Sequence, residues 1–300
     1  MTDHDAAYYE DDRQWGDHAI VNVDQLALRL ETTRRMLPRS VASLVDVGAG
    51  DGRVIEHLLD HADGPAFAVA VDRSFAALRH VDTRRVRASG DQLPFADRSF
   101  SVAMACEVLE HLPPPTFDAM RAELARVAAD HVFISVPFRE NRRRSDVVCQ
   151  QCGCRYNSMR HLRSFDRPDL VDLIPGFRLV AAEESGHRAP LYPRVLRTAL
   201  ERRGLLNRAW SPTCPLCSTV YDPRANPEPR RSPAAPPDAA PREAVPVPVP
   251  ERDDHDGGGS ADGARRALAT YRLAQRAIPR ARHRYWICAL YQRSGASPLS

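Results

Sequence analysis

Between residues 23 and 37 apolar side chains recur at helical spacing, with Leu26, Leu30, Met36 and Leu37 falling on one face, and Pro38 closes the segment. From residue 40 to 138 the pattern changes. Short apolar runs at 41–47, 66–71, 85–88, 100–105 and 131–136 alternate with helix-period stretches at 53–61, 74–81 and 115–128. Another apolar run stands at 177–182, and Tyr285-Trp286-Ile287-Cys288-Ala289-Leu290-Tyr291 forms one more near the end. Strands that alternate with helices in this way predict an α/β protein, a doubly wound and mostly parallel sheet with helices on both faces.

The late strand is separated from the others by a stretch that cannot pack. Prolines recur every few residues over 222–250, and Gly257-Gly258-Gly259-Ser260 follows. Such a segment buries too little apolar area to offset its ordering entropy, so a disordered Pro/Gly-rich insertion is expected at 222–262, inside the domain. A helix is expected at 263–278. The chain then divides into an N-terminal cap and helix at 1–39 and a core at 40–186. A cysteine-rich lobe at 145–221 overlaps the later part of that core. Beyond the insertion, 263–300 holds a C-terminal helix and the last core strand.

Composition narrows the function classes only a little. No run approaches the roughly 18–20 apolar residues that span a bilayer, and the start, Met1-Thr2-Asp3-His4-Asp5, is acidic where a signal peptide would be basic. A cytoplasmic protein without a membrane partner is expected. All 42 basic residues are Arg, a bias that a GC-rich genome also produces, and the net charge of +3 leaves no polyanion footprint, so nucleic acid is not the expected partner.

The chemistry begins at Val45-Asp46-Val47-Gly48-Ala49-Gly50-Asp51-Gly52, where a strand meets a glycine turn and a helix start. In an open parallel sheet ligands bind outside the carboxyl ends of the strands, and glycines let backbone approach them. A dinucleotide fingerprint would read G-x-G-x-x-G, but here the spacing is G-x-G-x-G, with Arg53 in the place of the third glycine. A carboxylate at Asp46 would also repel a pyrophosphate and attract a sulfonium or an amino group. Three further segments follow successive strands: Asp72-Arg73, Gly90-Asp91-Gln92-Leu93-Pro94-Phe95, and Cys106-Glu107-Val108-Leu109-Glu110-His111-Leu112.

Together these four segments resemble the class I S-adenosylmethionine-dependent methyltransferases, especially the type-11 group of small-molecule enzymes, over residues 41–138. The resemblance implies a Rossmann-like methyltransferase fold with S-adenosyl-L-methionine as cofactor. It implies that Asp46, Gly48, Ala49 and Gly50 surround the methionine end, that Asp72 with Arg73 holds the ribose, and that Asp91 with Gln92 frames adenine. Cys106 and Glu107 would lie near the methyl-bearing sulfur. The group often has an Asp early in the fourth strand, and this chain has Ser101 there. His111 is the candidate catalytic base, needed only for a weakly acidic acceptor, with His161 and His187 as alternatives; a histidine on an apolar helix face also serves simply as packing. Tyr8, Tyr9 and Trp15 suit either a lid or a hydrophobic anchor.

Seven cysteines include two Cys-x-x-Cys units, Cys149–Cys152 and Cys214–Cys217. Each such knuckle presents two thiolates to one side of a tetrahedral ion, so a structural Zn2+ held by Cys149, Cys152, Cys214 and Cys217 is expected, with Cys154 or His161 as a substitute ligand. A redox dithiol and unliganded thiols are the competing readings. The leading functional expectation is methyl transfer to an O, N or C atom of a small-molecule acceptor. Methylation of a protein or RNA, or a non-catalytic zinc-containing interaction protein with the same fold, are the alternatives.

Overall fold

The computed structural model describes residues 8–16, 23–188, 213–221, 280–281 and 283–295. The expected insertion at 222–262 and the expected helix at 263–278 lie outside them. Helices α1 (Val23–Met36), α2 (Arg53–Leu59), α3 (Phe75–Leu78) and α4 (Pro114–Val127) surround one large sheet. Its strands are β1 (Leu44–Val47), β2 (Ala68–Asp72), β3 (Arg84–Arg87), β4 (Phe100–Cys106), β5 (Ala128–Pro137), β8 (Phe177–Ser185) and β9 (Trp286–Arg293), in the order β3-β2-β1-β4-β5-β9-β8. The first five are parallel neighbours, and β9 runs antiparallel between β5 and β8. This is the doubly wound, mostly parallel arrangement expected from the pattern.

The central strands are apolar throughout because both faces are covered. Successive residues serve opposite sides: Val45 and Val47 join Val69, Val71, Ala103 and Ile134 in one buried cluster, with Met120 and Leu124 of α4. Leu44, Ala68, Ala70, Val102 and Phe133 join the other, with Ile55 and Leu58 of α2. Each fully buried Leu or Ile here contributes roughly 1.5–3 kcal/mol of transfer free energy. Helix α1 packs Leu30 and Met36 against the second cluster, joined by Leu37 just after it, but its most buried residues are Thr32 and Thr33. The Thr32 hydroxyl is satisfied by the Leu28 carbonyl, which is how a polar side chain can lie against the sheet.

Several elements are shorter than expected. The strand expected at 41–47 starts at Leu44, where pairing with Ala68 begins. The helix expected over 74–81 is a single turn, Phe75–Leu78, because the chain must return to place Arg84 beside Val69 on the edge of the sheet. The cysteine-rich segment adds a hairpin that periodicity did not foretell, β6 (Asp146–Val148) with β7 (Arg155–Asn157). No helix among the described residues is long and apolar enough to cross a membrane.

Candidate functional site

Strand β1 lies between β2 and β4, so the crevice at its carboxyl end is the place where the chain reverses its winding direction. The glycine turn sits there. Gly48, Gly50 and Gly52 have φ of 78°, 58° and 82°. At Gly48 a Cβ would also collide with the Val108 side chain, so the turn and the segment after β4 touch backbone to side chain. The N–H groups of Gly48 and Ala49 both donate to the Val71 carbonyl, which holds the turn against β2.

Two carboxylates face this turn with different partners. Asp72, at the end of β2, accepts the N–H of Gly50 at 2.9 Å and that of Ser74 at 2.8 Å. Burial raises its carboxyl, and those bonds oppose the rise. Asp46 is 1% exposed and neither oxygen has a hydrogen-bond partner. Burial first, then the nearby Asp72, push it up to about 7 against the pull of Arg29. Asp91 and Gln92 stand on the loop after β3, at the same end of the sheet, with Gln92 exposed. Arg73 is half-buried, and its carbonyl accepts from Arg87.

Residues 8–16 lie across the turn. A Cβ on Gly50 would stand 2.9 Å from the Trp15 ring. The Gly16 N–H donates to Asp51, the Ser74 hydroxyl donates to the Tyr9 carbonyl, and Glu10 accepts the N–H groups of Phe75 and Ala76. The aromatic N-terminal segment therefore lies over the glycine turn and the start of α3.

On the other side of the turn, Cys106 is buried and its thiol is pushed well above the usual range by burial and then by Asp46, which leaves it a neutral wall. Glu107 has φ of 60° and accepts from Ser135 Oγ and Trp286 Nε1. Burial raises it, while Arg29, His161 and these two bonds pull it down. Glu110 is fully buried without a hydrogen bond to another residue, and burial, then Glu107, push it well above the carboxylate range. His111 is pulled down to about 3 by burial and then by His161, so it stays neutral and binds a proton weakly. His161 Nδ1 lies 2.5 Å from Glu140 Oε2, and its ring centroid is 4.8 Å from that of His111. His187 is exposed and belongs to a different edge, with its N–H on Gln25.

Sequence reasoning missed Arg29, Glu110, Ser135, Glu140 and Trp286. Glu110 stands in the quoted segment and could have been singled out; the other four come from distant elements and carry no local signal. In the Arg-rich run at 139–144, Arg139 pairs with Asp166 and Arg142 donates to the Leu162 carbonyl, both at the exposed surface.

The four expected thiol ligands converge: one sulfur each from Cys149, Cys152, Cys214 and Cys217 lies within 4.8 Å of the others. The knuckles repeat one backbone pattern. The N–H of Gly153 returns to the Cys149 carbonyl and that of Ser218 to the Cys214 carbonyl, with φ of 72° and 57° at the two returning residues. Burial works to raise Cys149, but the N–H groups of Cys152 and Gln151 and the Cys217 thiol bring it down to about 7. Cys154 stands beside this set, and His161 belongs instead to the Glu140 pair.

A family model described as a methyltransferase domain matches residues 44–131. No curated protein matches the chain. Among solved structures, the 1,6-didemethyltoxoflavin-N1-methyltransferase of Burkholderia thailandensis, with bound 1,6-didemethyltoxoflavin and S-adenosylhomocysteine, is 21% identical over 61% of this chain and 83% of that one, with a TM-score of 0.45. A SAM-dependent methyltransferase from Archaeoglobus fulgidus is 11% identical over 88% and 92%, with a TM-score of 0.44. The magnesium protoporphyrin IX methyltransferase of Synechocystis is 17% identical over 63% and 92%, with a TM-score of 0.43.

Proposed function

We propose, from the match of residues 44–131 to a methyltransferase-domain model, that the protein is a class I, S-adenosylmethionine-dependent enzyme that methylates an O, N or C atom of a small molecule. The observation that carries the reading is Asp46. A fully buried carboxylate with two unpartnered oxygens at the glycine turn is costly by itself, and a cationic amino or sulfonium group beside it would offset that cost. When bound, S-adenosylmethionine supplies an electrophilic methyl on its sulfonium.

In this reading Asp46, Gly48, Ala49 and Gly50 hold the methionine end, and Asp72, with two backbone donors already aligned on it, accepts from the ribose beside Arg73. Asp91 and Gln92 frame adenine. Trp15 closes over Gly50 and excludes water, while Cys106 and Glu107 border the methyl. Little covalent help is needed, since displacement at a sulfonium rests on alignment and dryness. His111 faces the acceptor as a neutral ring. Cys149, Cys152, Cys214 and Cys217 would hold a Zn2+ ion that braces the lobe, and a set of four thiolates would give it a structural role.

Calorimetry with S-adenosylhomocysteine tests the first half. Binding in the micromolar range supports it, and no heat at millimolar ligand with folded protein sinks it. Incubation with methyl-labelled cofactor and a cell extract identifies the acceptor, and label only in protein or RNA would refute the small-molecule half.

A further inference from the structure

We propose that Glu110, His111 and His161 form a site for a divalent transition-metal cation, and that the methyl acceptor is a hydroxyl compound which reaches that cation. The site itself stands apart from the methyltransferase reading; the identity of the acceptor rests on it.

One ligand atom from each of the three side chains lies within 4.8 Å of the others. Two imidazoles and one carboxylate leave a coordination position open, the donor set of catalytic rather than structural sites. The second observation is Glu110. It is fully buried, both oxygens lack a partner, and the neighbouring His111 Nδ1 lacks one too. A buried carboxylate is ordinarily paired or bound to a metal. His161 is already oriented as a metal ligand would be, because Glu140 engages Nδ1 and leaves Nε2 for the cation.

The two halves of the site are tied. The Leu162 N–H donates to the Glu110 carbonyl at 2.7 Å, and Arg163 donates to the Leu112 carbonyl. The first half follows Val108, which packs against Gly48 of the glycine turn. The His111 side chain is 22% exposed, which gives the acceptor a way in. A cation lowers the pKa of an oxygen it ligates, so the site selects a hydroxyl acceptor over an amine. The methyl then passes from the sulfonium to that oxygen. One C–O bond forms, one C–S bond breaks to leave the neutral thioether, and the hydroxyl proton leaves to solvent past His111.

The test is Co2+ titration of the full chain by equilibrium dialysis and absorption, with S-adenosylhomocysteine calorimetry in parallel. Wild type should take one equivalent with thiolate charge-transfer absorption and a second without it. Glu110→Gln and His161→Asn should lose only the second, and Glu140→Gln should weaken it by about tenfold or more. A wild type that takes only the thiolate equivalent, or variants that keep the second, would overturn the site. Cofactor-product binding without a second equivalent refutes the cation and leaves the methyltransferase reading standing; the reverse result does the opposite. Labelled products that are methyl ethers, and that disappear when the second equivalent is removed, support the acceptor class. Methylamines formed regardless would refute it.

Discussion

Arg160 donates from its guanidinium to the Thr213 carbonyl at 2.9 Å, which joins the second cysteine knuckle to the residue directly before His161. The same guanidinium lies 4.4 Å from the centroid of Tyr8, in the N-terminal segment that covers the glycine turn. The second cysteine knuckle, the N-terminal segment and the residue before His161 thus meet at one side chain.

That junction sets the expected result of metal removal. Structural zinc contributes folding free energy, so chelation or Cys152→Ser should lower the melting temperature and release the 213–221 segment to proteolysis. S-adenosylhomocysteine affinity should change by less than about threefold, roughly 0.6 kcal/mol, because the four thiols are not among the residues proposed to hold the cofactor. Calorimetry that shows a far larger loss would contradict this.

Gly48→Ala should weaken S-adenosylhomocysteine binding by at least about tenfold. The left-handed φ costs an L-residue about 1–2 kcal/mol before any contact with Val108 is counted. Adding Val108→Ala should recover part of the loss by removing the collision but not the strain. Equal affinities in the single and double variants would show that the collision does not matter.

Asp46 gives a pH dependence of stability. Its folded carboxyl titrates at about 7, against 3.8 for the free group. A carboxyl raised in the fold costs nothing below about pH 4, where the folded and unfolded chains both keep it protonated; the cost builds as pH rises from there toward about 7, because the unfolded chain ionises first, and levels off above. Asp46→Asn should be more stable than wild type at pH 8 in the absence of ligand. The gain is at most on the order of 4 kcal/mol, reduced by the unpartnered amide, and fades toward pH 4. Denaturant melts at the two pH values check the sign, and ligand binding by the variant should be weaker despite its stability.

Trp15→Ala should raise the dissociation constant for S-adenosylhomocysteine by roughly tenfold, the order expected for one aromatic face. The melting temperature should scarcely move, since Trp15 is only partly buried and outside both core clusters. A large drop in melting temperature with unchanged affinity would make the segment an anchor instead of a lid.

Much of the α/β plan is visible in local pattern. The runs around Val45, Val69, Val102 and Val132 are apolar on both faces, and a strand covered on both sides can be read without knowing its neighbours. The two Cys-x-x-Cys units are visible for a similar reason, because ligand spacing within one knuckle is a property of a few adjacent residues. The shortening of α3 to one turn was not visible, since it follows from where β3 must land on the sheet.

Adjacent residues decide secondary structure, the glycine turn and the internal form of each knuckle, because dihedral preference and alternation act over a few positions. Convergence is another matter. That Trp286 reaches Glu107, that Glu140 meets His161, and that Cys214 comes to Cys152 depends on chain segments brought together from far along the sequence. The shift of Asp46 to about 7 and the isolation of Glu110 likewise arise from burial. Desolvation and missing partners are properties of the packed interior, so only the tertiary structure could assign them.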